Sequence, residues 1–240
     1  MHLVKKGLKT LVLTYTSESS IPLITTLRET LYTLSPLLNL YTIRNDVASP
    51  AAPTELVSQL KDAGITQLDI VIHNAGVSGN DALGSGGVTA EEFDRQYYTN
   101  VRGPLMLQQA LIPLLPRDGS GRIVALSSVS ASEGFVQQSI YGGTKAAMNA
   151  MVRTWARELV GRATVNAVNP GPVGTDMYSG TTEEFKEHLR PWVERAPGMT
   201  LGRNGTAEEI AGVIGMLCLP ESAWCNGCIV GANGGMVMSG

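Results

Sequence analysis

The chain has 240 residues, 43% hydrophobic and 16% charged, with 27 glycines, 12 prolines and a net charge of −3. That mixture suits one globular domain with a full core, and it excludes a coiled coil, a collagen and a disordered chain. No dense Lys/Arg stripe offers phosphates a docking surface, so nucleic acid is not expected as a partner. No apolar stretch reaches membrane-spanning length, and residues 1–7 have no apolar signal core behind their lysines. The sequence therefore reads as a soluble cytoplasmic protein without a membrane partner.

In chain order, short β-rich runs alternate with helical periodicity, the pattern of a doubly wound parallel sheet covered on both faces. The expected fold is α/β and Rossmann-like, a single domain over residues 1–240. Strands are predicted at 10–15, 40–43, 68–73, 122–127, 163–168 and 227–231. Between the first two, Ile24, Leu27, Leu31 and Leu34 recur at helical steps, as do Met148, Met151, Trp155 and Leu159 after the fourth. Residues 100–115 predict another helix, ended by Pro116 and a Gly/Ser turn. Residues 206–219 predict one more, with Thr206 as cap and Glu208 and Glu209 in its first turn. The polar stretch 177–200, broken by Pro191 and Pro197, follows a strand end and is a candidate substrate lid, or else a plain surface excursion.

Cys218, Cys225 and Cys228 are an odd set with no secretory signal, so free thiols are expected. Cys225 and Cys228 have the spacing of a zinc half-site, but no second pair exists and His2, His73 and His188 are scattered, so no metal is expected.

From about residue 66 onward the chain resembles the short-chain dehydrogenase/reductase family. The likeness rests on residues 73–76 (His-Asn-Ala-Gly) after a strand, Asn100 at a helix start and Ser127-Ser128 after a strand. It continues through Tyr141 and Lys145 in Tyr-Gly-Gly-Thr-Lys, residues 169–175 (Asn-Pro-Gly-Pro-Val-Gly-Thr) and residues 233–235 (Asn-Gly-Gly). Tyr141 and Lys145 stand four apart, hence on one helix face. A cation beneath the phenol would lower its pKa and make it a usable acid and base. The resemblance implies that Ser128 bonds the same substrate oxygen, and that Asn100 sits at a helix irregularity and holds a water linking Lys145 to solvent. His73 is read as a structural strand-end residue.

The dinucleotide end departs from that family. Against the pattern T-G-x-x-x-G-x-G the chain offers Thr14 to Ile21, in which Tyr15, Ser19 and Ile21 stand for all three glycines and Glu18 adds negative charge. Asp46-Val47, like the family's adenine-contacting pair, follows Thr14 by only 32 residues. The first βαβ half thus looks shortened, and the strand that would present a residue to the adenosine ribose looks absent.

The expectation drawn from these departures is an enzyme that binds no cofactor and uses Asn100, Ser128, Tyr141 and Lys145 for non-redox chemistry. Isomerisation, dehydration or cyclisation of a small carbonyl metabolite, such as a polyketide-like or terpenoid one of natural product biosynthesis, would qualify. The first alternative is an NADPH- or NADH-dependent carbonyl reductase, whose cofactor would touch Asp46, Asn74, Lys145 and Thr175. The second is a non-catalytic scaffold subunit. By resemblance, the helices beginning near Asn100 and Tyr141 imply a homodimer or homotetramer.

Overall fold

The computed structural model describes residues 1–195 and 202–238. It is an α/β layer structure in the order α1 (His2–Lys5), β1 (Thr10–Tyr15), α2 (Ile21–Leu34), β2 (Asn39–Arg44), α3 (Ala52–Asp62) and β3 (Ile70–His73). There follow α4 (Ala90–Tyr97), a π-helical turn (Tyr98–Arg102), α5 (Gly103–Leu111), β4 (Gly121–Leu126), α6 (Ser139–Glu158) and β5 (Ala163–Pro170). The chain ends through α7 (Asp176–Ser179), α8 (Glu183–Arg195), α9 (Ala207–Leu217) and β6 (Ile229–Ala232). All six predicted strands form, each within three residues of the expected bounds.

Pairing is parallel throughout, as expected, but the sheet comes in two sections, β2-β1 and β3-β4-β5-β6. Alternation along the strands builds a core on each face. Ile123, Ala125, Val165 and Ala167 point to one side, where they meet Leu56 and Leu60 of α3, Leu107 and Leu111 of α5, and Met148, Val152 and Trp155 of α6. Val124 and Val168 point to the other side, onto Ile210 and Leu217 of α9. β4 and β5, covered on both faces, are the driest strands, and even their polar residues Arg122, Thr164, Asn166 and Asn169 are buried.

Helix ends follow their capping residues. Thr206 and Glu209 form a reciprocal capping box on α9, as the Thr-x-x-Glu spacing predicts, and Thr89 caps α4 by accepting from Glu92 N at 3.1 Å. The stretch read as a candidate lid or a plain surface excursion is largely helical over its described residues. α8 runs through Pro191 and buries Phe185, Leu189 and Val193, spaced four apart, while its exposed Glu, Lys and Arg residues account for the polar appearance. Residues 196–200 of that stretch lie outside the described residues. Among the described residues no His/Cys/Asp/Glu cluster suits a metal, and no helix is long and apolar enough to cross a membrane. The three cysteines are free thiols.

Candidate active site

Every strand but β6 points its C-terminal end at one cavity of about 660 Å3. It is bordered by Thr16, Asp46 and Val47, by residues 74–78, 126–130 and 170–173, and by Tyr141, Lys145 and Thr175. Parallel α/β sheets bind ligands in this place, because loops and helix N-termini converge there.

The acid–base set is assembled by α6 and the end of β4. Helix α6 lacks a side-chain cap of its own. Its first amides are instead taken by a buried carboxylate: Asp81 Oδ2 accepts from Ile140 N at 3.1 Å and Tyr141 N at 2.9 Å, and Oδ1 accepts from Gln96 Nε2 at 2.7 Å. Asp81 thereby fixes where Tyr141 starts. Sequence reading missed it, because it acts from 60 residues away and has no local pattern. One turn on, Ser127 Oγ donates to the Lys145 carbonyl at 3.1 Å, tying α6 to β4.

The structure brings Ser128, Tyr141 and Lys145 together. The Ser128 hydroxyl stands near the Tyr141 phenol; its Oγ donates to Ser130 Oγ and accepts from Ser130 N, both at 3.1 Å. Lys145 Nζ lies 5.6 Å from the centre of the Tyr141 ring and donates to the Leu126 carbonyl at 2.8 Å. Burial brings the Lys145 ammonium down to about 8. Burial also raises the Tyr141 phenol above its ordinary value, with the Ser128 hydroxyl pulling the other way. The expectation of a phenol made more acidic is therefore corrected: removal from water outweighs the neighbouring hydroxyl.

Asn100 lies in the π-helical turn and is buried. Its side chain clamps Val77, accepting from Val77 N and donating to Val77 O, both at 2.8 Å, and it donates to Thr144 Oγ1 at 3.0 Å. Only Gly76 separates it from the lysine, since a Cβ there would lie 3.4 Å from both Asn100 Oδ1 and Lys145 Nζ. His73 is buried, bonds Gln108 at 2.9 Å and packs on Trp155, as a structural residue would.

Of the residues named for a possible dinucleotide, Asp46, Asn74 and Thr175 stand exposed on the rim of the same cavity and Lys145 on its floor. Asp46 accepts from Ala48 N at 3.0 Å, and Thr175 caps α7. The turn compared with the glycine pattern is a different matter. It follows β1, which pairs with the outer strand β2 and not with β3. Ile21 is exposed, and Glu18 is an exposed partner of Arg44 at 3.1 Å. Tyr15 is absent from the cavity lining and only Thr16 of this turn reaches it, so the large side chains do not fill a phosphate berth.

The family model described as enoyl-(acyl carrier protein) reductase matches residues 2–237. The chain is 42% identical to the L-xylo-3-hexulose reductase of Hypocrea jecorina, covering 99% of this chain and 91% of that one. It is 40% identical to the L-xylulose reductase of Aspergillus niger, covering 98% and 91%. Among solved structures, a blue fluorescent protein from a metagenomic library in complex with NADPH superposes with a TM-score of 0.84 at 29% identity, over 99% of this chain and 91% of that one. A short-chain dehydrogenase/reductase from Brucella melitensis gives 0.82 at 28% identity, over 99% and 90%.

These likenesses overturn the expectation of non-redox chemistry without a cofactor. The relatives are reductases, and a neighbour of the same architecture holds NADPH. Nothing in the comparisons supports an isomerase, a cyclase or natural product biosynthesis. The inference failed because it took the turn after β1 for the central turn of the sheet. The residues around Lys145, Tyr141 and Thr175 fit the nicotinamide end of a dinucleotide, in a cavity with a buried cation and hydroxyl donors on its floor. Of the turn between β1 and α2 only Thr16 reaches that cavity, so its lack of glycine does not bear on where a diphosphate would lie.

Proposed function

The chain belongs to the short-chain dehydrogenase/reductase family, and from that membership we propose an NAD(P)H-dependent carbonyl reductase acting on open-chain ketoses. The observation that carries this reading is that Ser128 and Tyr141 line one cavity together, with the Lys145 ammonium 5.6 Å from the Tyr141 ring. When bound, the nicotinamide supplies the hydride. Tyr141 gives its phenolic proton to the carbonyl oxygen, and Ser128 holds that oxygen by a second hydrogen bond. Lys145, charged below about pH 8, favours the phenolate left behind. Asn100 keeps the strand-end loop and the π-helical turn in register beside the lysine. Asp46, Asn74, Lys145 and Thr175 would contact the dinucleotide. The likeness to the L-xylo-3-hexulose and L-xylulose reductases supports an open-chain ketose as the substrate class.

The segment of α7 and α8 closes over the substrate in this reading. It borders the cavity with Met177, Tyr178 and Thr181, and its apolar face seats on Val129, Phe135 and Met236. A homodimer or homotetramer would cover Leu105 and Met106, which stand exposed on α5. We place the enzyme in the cytoplasm.

The test is oxidation of NADPH, up to millimolar concentration, in the presence of L-xylulose or a 3-ketohexose. Tyr141→Phe should lower turnover about 10³-fold while leaving the fold intact, within the range general acid catalysis contributes. A ketose reduced equally fast by the variant overturns the assignment.

A further inference from the structure

A buried polar atom costs free energy unless it has a partner, so an unpaired one in a cavity wall marks a place where a ligand's polar group fits. The wall around the proposed substrate end is mostly apolar, formed by Val129, Phe135, Phe185, Leu189 and Met236. The polar groups nearby are largely committed. Ser130 Oγ accepts from Ser128 Oγ at 3.1 Å, Thr181 Oγ1 donates to the Tyr178 carbonyl at 2.7 Å, and Lys145 Nζ donates to the Leu126 carbonyl at 2.8 Å. Gln138 is the exception. It borders the same cavity, and its Oε1 is buried with no hydrogen-bond partner among the described residues.

The backbone explains why this side chain is left over. Gln138 is the N-cap of α6, and its carbonyl accepts from Gly142 N at 2.9 Å, which closes the first turn of the helix. A residue at that place ordinarily turns its own side-chain oxygen onto the helix amides. Here Asp81 has taken the amides of Ile140 and Tyr141, so the Gln138 amide is free of that role.

The preceding residue fixes the approach to the helix. Gln137 has a φ of +61°, in the left-handed region that side chains with a Cβ rarely adopt, and it is the only non-glycine residue so placed among the described residues. Two hydrogen bonds hold it there. Its carbonyl accepts from Asp81 N at 2.9 Å, and its Oε1 accepts from Thr182 Oγ1 at 3.1 Å. Thr182 Oγ1 in turn accepts from Phe185 N at 3.1 Å at the start of α8. Strain of this kind persists where the surroundings over-determine the backbone, as at ligand clamps. Here it immediately precedes an orphaned acceptor that stands one turn ahead of Tyr141.

We propose that Gln138 selects the substrate: its Oε1 accepts a hydrogen bond from a hydroxyl on the carbon beside the reacting carbonyl, so the site takes α-hydroxyketones in preference to plain ketones. This rests on the reductase reading above. Residues three apart on a helix have Cβ atoms about 5–6 Å apart, so Gln138 and Tyr141 can reach neighbouring atoms of one substrate. An amide oxygen only accepts, and the donors on a neutral ketose are its hydroxyls. A ketone without that hydroxyl leaves Oε1 buried and unpaired, and a site built to bond a hydroxyl rejects the analogue that lacks it.

The test compares acetoin with butanone, which differ by one hydroxyl beside the carbonyl, as substrates for NADPH oxidation. The wild type should show a kcat/KM about tenfold or more higher for acetoin. Gln138→Leu should lower that ratio about tenfold, whereas Gln138→Glu, which keeps an acceptor oxygen, should retain it. The Tm of Gln138→Leu should equal or exceed that of the wild type, because the substitution removes a buried orphan. A wild type without the preference, a ratio unchanged in Gln138→Leu or lost in Gln138→Glu, or a Tm lowered in Gln138→Leu overturns the proposal. Binding of L-xylulose to the cofactor-free chain, followed by saturation-transfer NMR, needs no turnover. Gln138→Leu should weaken it about tenfold, and equal binding by the two proteins, or none by the wild type, overturns the role of Gln138. A wild type that reduces neither ketone, yet binds L-xylulose more tightly than Gln138→Leu does, overturns the reductase reading and leaves the hydroxyl contact standing.

Discussion

Replacing Lys145 by methionine should remove the proposed chemistry and also a pH-dependent cost to folding. The ammonium is buried, it donates to the Leu126 carbonyl at 2.8 Å, and burial alone brings it from 10.5 down to about 8. Below pH 8 the folded and unfolded chains both hold the proton, so the cost of burying the charge is fully present. Between pH 8 and 10.5 the folded chain has released the proton while the unfolded chain keeps it, and stability rises with pH. At about 1.4 kcal/mol per pH unit the whole effect is about 3 kcal/mol, of which about 2 kcal/mol falls between pH 8 and 10. Above pH 10 the raised Tyr141 phenol acts in the opposite sense, because the folded chain then keeps a proton that the unfolded chain has lost. Urea unfolding of wild type and Lys145→Met, measured from pH 7.5 to 10, isolates the lysine, since other titrations cancel in the difference. The stability gap between the two proteins should move by about 2 kcal/mol in favour of the wild type across that range. A gap independent of pH would refute the reasoning.

Three substitutions test how the site is held. Asp81→Ala strips three N–H groups of their buried acceptor and should cost about 3 kcal/mol, seen as a fall in Tm of roughly 6–12 °C together with lost turnover. A variant with unchanged Tm would show that Asp81 does not anchor α6. In Gly142→Ala the new Cβ would lie 2.8 Å from the Ser130 carbonyl, so α6 must back away from the turn that carries Ser128. Destabilisation of about 1–3 kcal/mol is expected, with kcat falling more than KM rises, and a variant with wild-type kcat would break the link between that contact and catalysis. Ser128→Ala should lower kcat about 10²-fold with little change in Tm, read by steady-state kinetics and calorimetry. An unchanged kcat would remove Ser128 from the substrate oxygen.

The central strands were legible because burial on both faces leaves little choice of residue: Ile123 to Leu126 of β4 form an apolar run, and in β5 Val165, Ala167 and Val168 leave room for few polar residues. Tyr141 and Lys145 were legible for a similar reason, since helix period alone puts residues four apart on one face. The turn after β1 was misread because a strand followed by a capped helix looks alike wherever it sits in a sheet. Strand order is a property of pairing, and only the β1–β2 register reveals that Thr14 to Ile21 lie beside the centre and not in it. Asp81 escaped for want of any local signal, as its three partners come from two distant helices. α8 was hidden by Pro191 and by the charge of its outer face.

The three tryptophans happen to sample three different surroundings. Trp155 is buried against the His73 ring at 5.7 Å, Trp224 is 99% accessible, and Trp192 on α8 meets Phe135 edge-on at 5.8 Å across the seam between that helix and the body. With the first two replaced by phenylalanine, the remaining indole becomes a label-free optical gauge. Its emission should shift to the red whenever α8 lifts from its seat, so the pace of entry and exit at the cavity can be timed by stopped-flow without a dye.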